Sequence, residues 1–160
     1  MRPVHALAGL AVVAVLIGGF LFWTRGAQIR IEGKVLKVRT HALDENSSLM
    51  VVDFRFANPA DYPFVIRSVD LIVETAEGAS KDGMMVAESD AQRIFKAIPD
   101  LGQKYNETLK TRDRIPAHAE EDRMVAARFE IPIGTLNARK AMRIRVVEVD
   151  GAVSQMSEER

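Results

Sequence analysis

Between residues 50 and 66 the chain alternates. Met50, Val52, Phe54 and Phe56 recur at every second position, with Val51, Asp53 and Arg55 between them. A period of two puts the first set on one face of a strand and the second on the other. Asn58, Pro59, Ala60 and Asp61 interrupt the pattern. Pro59 fixes φ and Asn58 can bond its own backbone, which is turn chemistry. Phe64 and Ile66 resume the apolar face. The second strand is expected to run on through Val69, Leu71 and Val73, with a bend near Arg67 and Ser68.

The other alternating segments supply partners for this pair. Ile29, Ile31, Gly33 and Val35 alternate, then the phase changes at Leu36 and Val38. A phase change beside a glycine predicts a β-bulge. Residues 41–48 are polar and read as a loop. Residues 77–83 end in Lys81, Asp82 and Gly83, which predicts a hairpin turn, with residues 84–87 as a short return strand. Ser89 or Asp90 would cap a short helix reaching Ile98, with Ile94, Phe95 and Ile98 as its apolar stripe and Pro99 as its stop. Residues 105–110 read as a short extended segment, and residues 112–121 as a charged loop holding Pro116. Residues 123–131 alternate again. Val125, Ala127, Phe129 and Ile131 face inward there; Met124, Ala126, Arg128 and Glu130 face outward. Residues 132–140 fit a brief helical turn, and residues 142–149 a last strong strand. Asp150 and Gly151 form a turn, and residues 152–160 read as a polar tail. Short strands, turn signals and one or two short helices predict an all-β sandwich rather than an alternating α/β fold.

Ahead of this pattern, residues 4–23 contain no Asp, Glu, Lys or Arg. Twenty helical residues span roughly 30 Å, the thickness of a bilayer's hydrocarbon core. Phe20, Phe22 and Trp23 cluster at the far end of the run, where aromatic rings favour the interface. A cleaved signal would have a shorter apolar stretch and a small-residue cleavage site; here Phe20, Leu21, Phe22 and Trp23 fill that place. The expected organisation is therefore a transmembrane anchor over residues 1–25, a sandwich domain over residues 26–151 and the tail over residues 152–160. The protein would be single-pass, meeting membrane lipid through residues 4–23. Arg2 precedes the run and Arg25 and Arg30 follow it, so charge bias alone does not orient it. The very short segment before the anchor is expected to stay inside, which places the globular domain outside the cytoplasm.

Composition narrows the chemistry. The chain has 160 residues, with 22 basic and 22 acidic side chains and no cysteine. Zero formal net charge argues against a nucleic-acid binder. Without cysteine there is no disulfide framework and no thiolate metal site. No nucleophile elbow, zinc-protease helix or phosphate loop occurs, so no catalytic residue, cofactor or metal ligand is assigned. His41 and His118 would need Asp44, Glu120 or Asp122 brought close to hold a metal, and loop histidines are more often solvated. Glu120, Glu121 and Asp122 lack the oxygen spacing of a calcium loop. Arg139, Lys140, Arg143 and Arg145 form a basic group that could face anionic head groups, or simply solvent. Asn46 and Asn106 open glycosylation sequons, a short pattern that recurs by chance.

The anchor, the strand Val52, Phe54, Phe56 ending in Asn58 and Pro59, and the extended segment with residues 68–73 together resemble the LEA group 2 family, also called the LEA14-like or WHy domain. The resemblance covers roughly residues 28–151. It implies an immunoglobulin- or fibronectin-like sandwich, a role in stress tolerance and no catalytic residues. The helix expected near residues 89–98 departs from the simplest form of that domain. The functional expectation is a non-catalytic, membrane-tethered interaction or protective module. The alternative is a carrier holding a lipid or other apolar ligand between the sheets, in a pocket lined by Phe54, Phe56 and Phe129.

Overall fold

The alternating segments build two antiparallel sheets. The structure, a computed structural model, describes residues 31–159; the expected anchor at residues 4–23 lies outside the described residues. In the first sheet the order is β1 (Glu32–Ala42), β2 (Ser48–Ala57), β7 (Glu120–Phe129) and β5 (Met84–Met85). In the second it is β4 (Ser80–Asp82), β3 (Phe64–Glu74), β8 (Ala141–Glu148) and β9 (Val153–Glu159), with β6 (Arg114–Ile115) also paired to β3. The sheets face each other as a sandwich. Two short helices, α1 (Glu88–Ala97) and α2 (Ile133–Asn137), and a 3₁₀ turn at Pro99–Leu101 complete the described chain.

Register makes the core. Met50 lies opposite Ala127 and Val52 opposite Val125 across β2 and β7. Phe54 and Phe56 continue the same inward row, with ring centroids 5.7 Å apart. From the second sheet come Phe64, Ile66, Leu71, Val73, Met142, Ile144 and Val146, all buried in the same cluster. The inward residues expected of residues 123–131, Val125, Ala127, Phe129 and Ile131, are all there.

Both expected irregularities occur. Register shifts in β1 between Val35 and Lys37, leaving Leu36 as the extra residue, and in β3 between Ile66 and Ser68, at Arg67. Asn58 closes β2 as a structural residue. Its Nδ2 donates to the carbonyls of Tyr62 (2.9 Å), Pro116 (3.0 Å) and Ile115 (3.2 Å), and its Oδ1 accepts from the Ala60 N–H at 3.1 Å. One buried side chain thus ties the 58–62 turn to β6 and the loop after it.

Several boundaries differ from the sequence pattern. The hairpin after β3 turns at residues 75–79, where Gly78 has φ 84° and the Thr75 N–H donates to the Ala79 carbonyl at 2.9 Å. Lys81 and Asp82 belong to β4. Gly83 serves close approach instead: there the chain leaves the second sheet for the first, and a Cβ would sit 2.6 Å from Ala127 Cβ and 2.7 Å from Phe129 Cζ. Helix α1 begins at Glu88, one residue before the expected cap, with Ala87 at the N-cap and no side-chain cap. Strand β7 begins at Glu120, so the acidic run expected in a loop lies on a strand. Residues 152–160, expected as a polar tail, contain β9, paired with β8 from Val147 opposite Val153 to Ala141 opposite Glu159. Its inward positions are Ser154 and Met156, both buried.

Phe54 has no exposed surface. Phe54→Ala is expected to cost about 3–5 kcal/mol in urea melts. Arg55→Ala, on the other face and 41% exposed at its side chain, is expected to cost less than about 1 kcal/mol. Equal losses would show the facing of β2 to be wrong.

Candidate interaction surfaces

The outer face of the first sheet is apolar as well. Leu49 and Val51 from β2, with Met124 and Ala126 from β7, point away from the sandwich core and are buried. What covers them is the segment from Val86 to Leu101. Helix α1 turns Ala91 inward, with Ile94, Phe95 and Ile98 beside it, and Leu101 follows in the 3₁₀ turn. The stripe that predicts this helix is the stripe that seats it. Met124 and Ala126, expected to face outward, do so beneath this cap and not toward solvent.

Two ionic clips hold the cap. Arg39 and Asp53 project from β1 and β2 onto the covered face, with side chains 8% and 4% exposed and Nη2 to Oδ2 at 2.6 Å. Arg39 Nη1 donates to the carbonyls of Leu101 and Gln103, each at 2.8 Å. Asn106 Nδ2 donates to the other Asp53 oxygen at 2.9 Å. The guanidinium also lies over the Phe95 and Tyr105 rings, 4.9 and 5.6 Å from their centroids, in reach of cation–π attraction. The second clip is Glu88. Its carboxylate accepts from Lys104 Nζ at 2.8 Å, the Thr108 N–H at 2.8 Å and Gln92 at 3.0 Å. Burial alone would raise its pKa, but those donors outweigh burial and hold it at about 2.

Two open clefts lie on the described surface. One of about 500 Å³ lies on the cap, lined by Gln92, Phe95, Lys96, Gly102, Gln103 and Lys104. Another of about 310 Å³ runs between the start of α1 and Thr108, Leu109 and Lys110. The second also touches Val69 of β3 and Met85 of β5, so it opens at the seam between the two sheets. Phe54, Phe56 and Phe129, the residues expected to line a carrier's pocket, are at most 1% exposed within the core.

The candidate polar groups are dispersed. His41 sits opposite Leu49, at one end of β1 and β2. His118 precedes Glu120, which lies opposite Ala57 at the other end, so the two histidines are a strand length apart. His118 Nε2 is 2.9 Å from Asp61 Oδ1. Among the described residues no group of three or more His, Cys, Asp or Glu side chains is placed to hold a metal. The acidic run is engaged by arginines: Asp122 takes Arg55 through two bonds of 2.6 and 2.9 Å, Glu120 lies 3.3 Å from Arg55, and Glu121 is 2.6 Å from Arg123. The hydrogen bond from Arg55 lowers the Asp122 pKa. In the basic group, Lys140 and Arg143 both lean on Glu74, at 3.2 and 2.9 Å, and Arg145 on Asp70 at 3.0 Å. Arg139 is buried and bound to Glu158 at 3.0 Å. Of the two sequon asparagines, Asn106 is committed to Asp53, and Asn46 is exposed in the loop after β1. The helix of the cap is expected from its stripe, but its seat on the outer face and its clips escape sequence reasoning; a further available signal was the apolar pair Val51 and Leu49 on the face opposite Phe54.

No protein-family model matches the chain, and no characterised protein matches it by sequence. Solved structures match in outline. An uncharacterised β-sandwich protein from Clostridium difficile 630 is 8% identical, over 81% of this chain and 86% of that one, with a TM-score of 0.43. The Iho670 flagellar-like filament is 13% identical over 99% and 98%, with a TM-score of 0.35. The archaellum periplasmic stator protein FlaG from Sulfolobus acidocaldarius is 8% identical over 80% and 99%, with a TM-score of 0.32. Likeness at this level carries no functional argument.

Arg39→Ala strands Asp53 and two carbonyls in a covered site and is expected to cost about 3–5 kcal/mol. Arg145→Ala, from a half-exposed pair, is expected to cost less than about 1 kcal/mol in the same urea melts.

Glu88 adds a pH dependence. Its folded pKa of about 2 lies below its ordinary value of 4.5. The unfolded chain therefore binds the proton more readily, and the stability Glu88 contributes is present above about pH 4.5 and lost as pH falls toward 2. Glu148 acts in the opposite sense, its pKa raised first by burial and then by Asp150. Its contribution is lost as pH rises through its folded pKa. Glu88→Gln is expected to flatten the fall in unfolding free energy, read from urea melts, between pH 5 and pH 3, by about 2 kcal/mol. An unchanged slope in that variant would remove Glu88 from the account.

Proposed function

We propose that this chain is a membrane-tethered, non-catalytic β-sandwich acting as an interaction or protective module at the membrane surface, with its globular domain outside the cytoplasm. The observation that carries this reading is the uncharged run at residues 4–23, followed within a few residues by a folded domain. The filled space between the sheets favours a module over a carrier, because Phe54 and Phe129 occupy the volume an apolar ligand would need.

We also propose the finer family reading, an immunoglobulin-like sandwich of the LEA group 2 kind. Strand order supports the first part. With β4 and β6 set aside, the sheet orders β1-β2-β7-β5 and β3-β8-β9 match the A-B-E-D and C-F-G orders of the constant-type immunoglobulin sandwich. The closure of β2 by Asn58 and Pro59 supports the second; the cap over residues 86–101 is additional to it.

The full-length protein is expected to stay in the membrane fraction through salt and alkaline washes, at its full length. Deleting residues 4–23 is expected to release a soluble, β-rich domain. Release of the intact chain by alkali, or a mature amino terminus near Gly26, would overturn the tether.

A further inference from the structure

The two ends of the sandwich are not equivalent, because the chain enters at one of them. The Ile31 N–H donates to Ser154 Oγ at 2.7 Å, and Glu32 lies opposite Ala57. The turn after Ala57, the loop before Glu120 and the β8–β9 turn share this end: Ala57 lies opposite Glu120, Val65 opposite Arg114, and the Val149 N–H donates to the Val65 carbonyl. Loops 43–47 and 75–79 lie at the other end. Residues 24–30 are all that separate the uncharged run from Ile31. Seven residues reach at most about 25 Å even when fully extended. On the tether proposed above, this end of the domain is held close to the head groups.

Its surface chemistry fits that neighbour. Tyr62, Val149 and Val153 are 44%, 56% and 41% exposed here. Tyrosine rings and small apolar side chains suit the interfacial layer. Arg67, Arg112 and Arg114 are exposed at the same end. The Arg112 N–H donates to the Ile66 carbonyl next to Arg67, and Arg114 lies opposite Val65, which brings the three into one neighbourhood. None of the three has an ion pair among the described residues, whereas Arg55, Arg143 and Arg145 are each held by a carboxylate. Asp61, Asp113, Asp150 and buried Glu148 share this end and bond to His118 and to the Lys110, Ala152 and Val65 N–H groups, but none pairs with the three arginines. A guanidinium left without a carboxylate keeps its forked donors for a phosphate.

We infer that the entry end of the sandwich lies against an anionic bilayer surface, with Arg67, Arg112 and Arg114 on head-group phosphates and Tyr62, Val149 and Val153 at the interface. The inference rests on the tether. It adds that the domain docks by its own surface and does not merely hang from the anchor.

The chain has no cysteine, so one label site can be introduced at a time. Full-length protein carrying Val149→Cys, or Glu45→Cys in the opposite-end loop, is labelled with a fluorophore. It is then reconstituted into phosphatidylcholine vesicles with or without phosphatidylglycerol, with a nitroxide quencher on the head groups. Quenching at position 149 is expected to be severalfold stronger with phosphatidylglycerol and to fall back in high salt. Position 45 is expected to stay weakly quenched throughout. Replacing Arg67, Arg112 and Arg114 together by Gln is expected to abolish the phosphatidylglycerol effect while the protein still floats with the vesicles after an alkaline wash. Position 149 quenched equally in both lipids, with the protein still floating, overturns the docking and leaves the tether standing. Protein stripped from the vesicles by alkali overturns both. The lipid and salt comparisons use the unsubstituted arginines, so a variant that fails to fold does not spare the inference.

Discussion

A charged pair taken out of water holds only if its hydrogen-bonding groups are met by the protein. Arg39 and Asp53 meet all of theirs but Arg39 Nε, from four stretches of chain: the two strands that carry them, the end of the 3₁₀ turn at Leu101 with Gln103 just after it, and the extended segment through Asn106. The pair exists only while the cap is closed. The cap, in turn, covers Leu49, Val51, Met124 and Ala126, which would otherwise be an apolar sheet face in water. Each condition requires the other. Opening the cap would rehydrate the charges but expose that face; removing the charges would leave carbonyls and an amide without partners. The cap and the sandwich are expected to melt together for this reason. Glu88 fastens the front of the cap as Arg39 fastens its back, so the helix is pinned at both ends of its length.

This makes β2 the central element in section. It is covered on one face by the second sheet and on the other by α1, and Ser48 to Phe54 are buried without a break. A strand buried on both faces reads as a continuous apolar run and not as an alternation. The sequence shows both signatures in succession: Leu49, Met50, Val51 and Val52 run together, and alternation is clear only from Asp53 onward. Alternation is enough to place Phe54 and Phe56 in the core. The preceding run says that something must cover Val51, but not what. The covering helix lies some forty residues away, and the Arg39–Asp53 contact is set by strand pairing, which no local pattern reports.

The same reasoning explains the other boundaries. The bulges at Leu36 and Arg67 were legible because a phase slip in alternation is itself the signature of an extra residue. Strand β9 was not, because its inward positions are Ser154 and Met156, and the serine is there to accept from Ile31. Glu120, Glu121 and Asp122 read as a solvated loop because a run of acids has no apolar period. On β7 they are tolerable because Arg55 and Arg123 stand beside them. Gly83 imitates a hairpin glycine in composition. Its real constraint is the Phe129 ring against its backbone as the chain changes sheets.

What the fold offers a partner is therefore surface, and the surface is divided. The basic group expected at residues 139–145 is largely self-neutralised, since Glu74 and Asp70 answer Lys140, Arg143 and Arg145. Of the exposed arginines without an ion pair among the described residues, Arg67, Arg112 and Arg114 gather at the entry end, while Arg128 lies near the other. Aromatic surface other than Tyr62 collects on the cap, where Phe95 edges the open cleft and Tyr105 is 61% exposed. On the proposed tether these two surfaces have different neighbours. The entry end meets the bilayer. The cap, carried on the outer face of the first sheet and not at its end, stays open to a partner approaching from the side. Because the cap is locked to the sheet by a buried ion pair, such a partner meets a rigid surface and does not bear the entropy cost of ordering it.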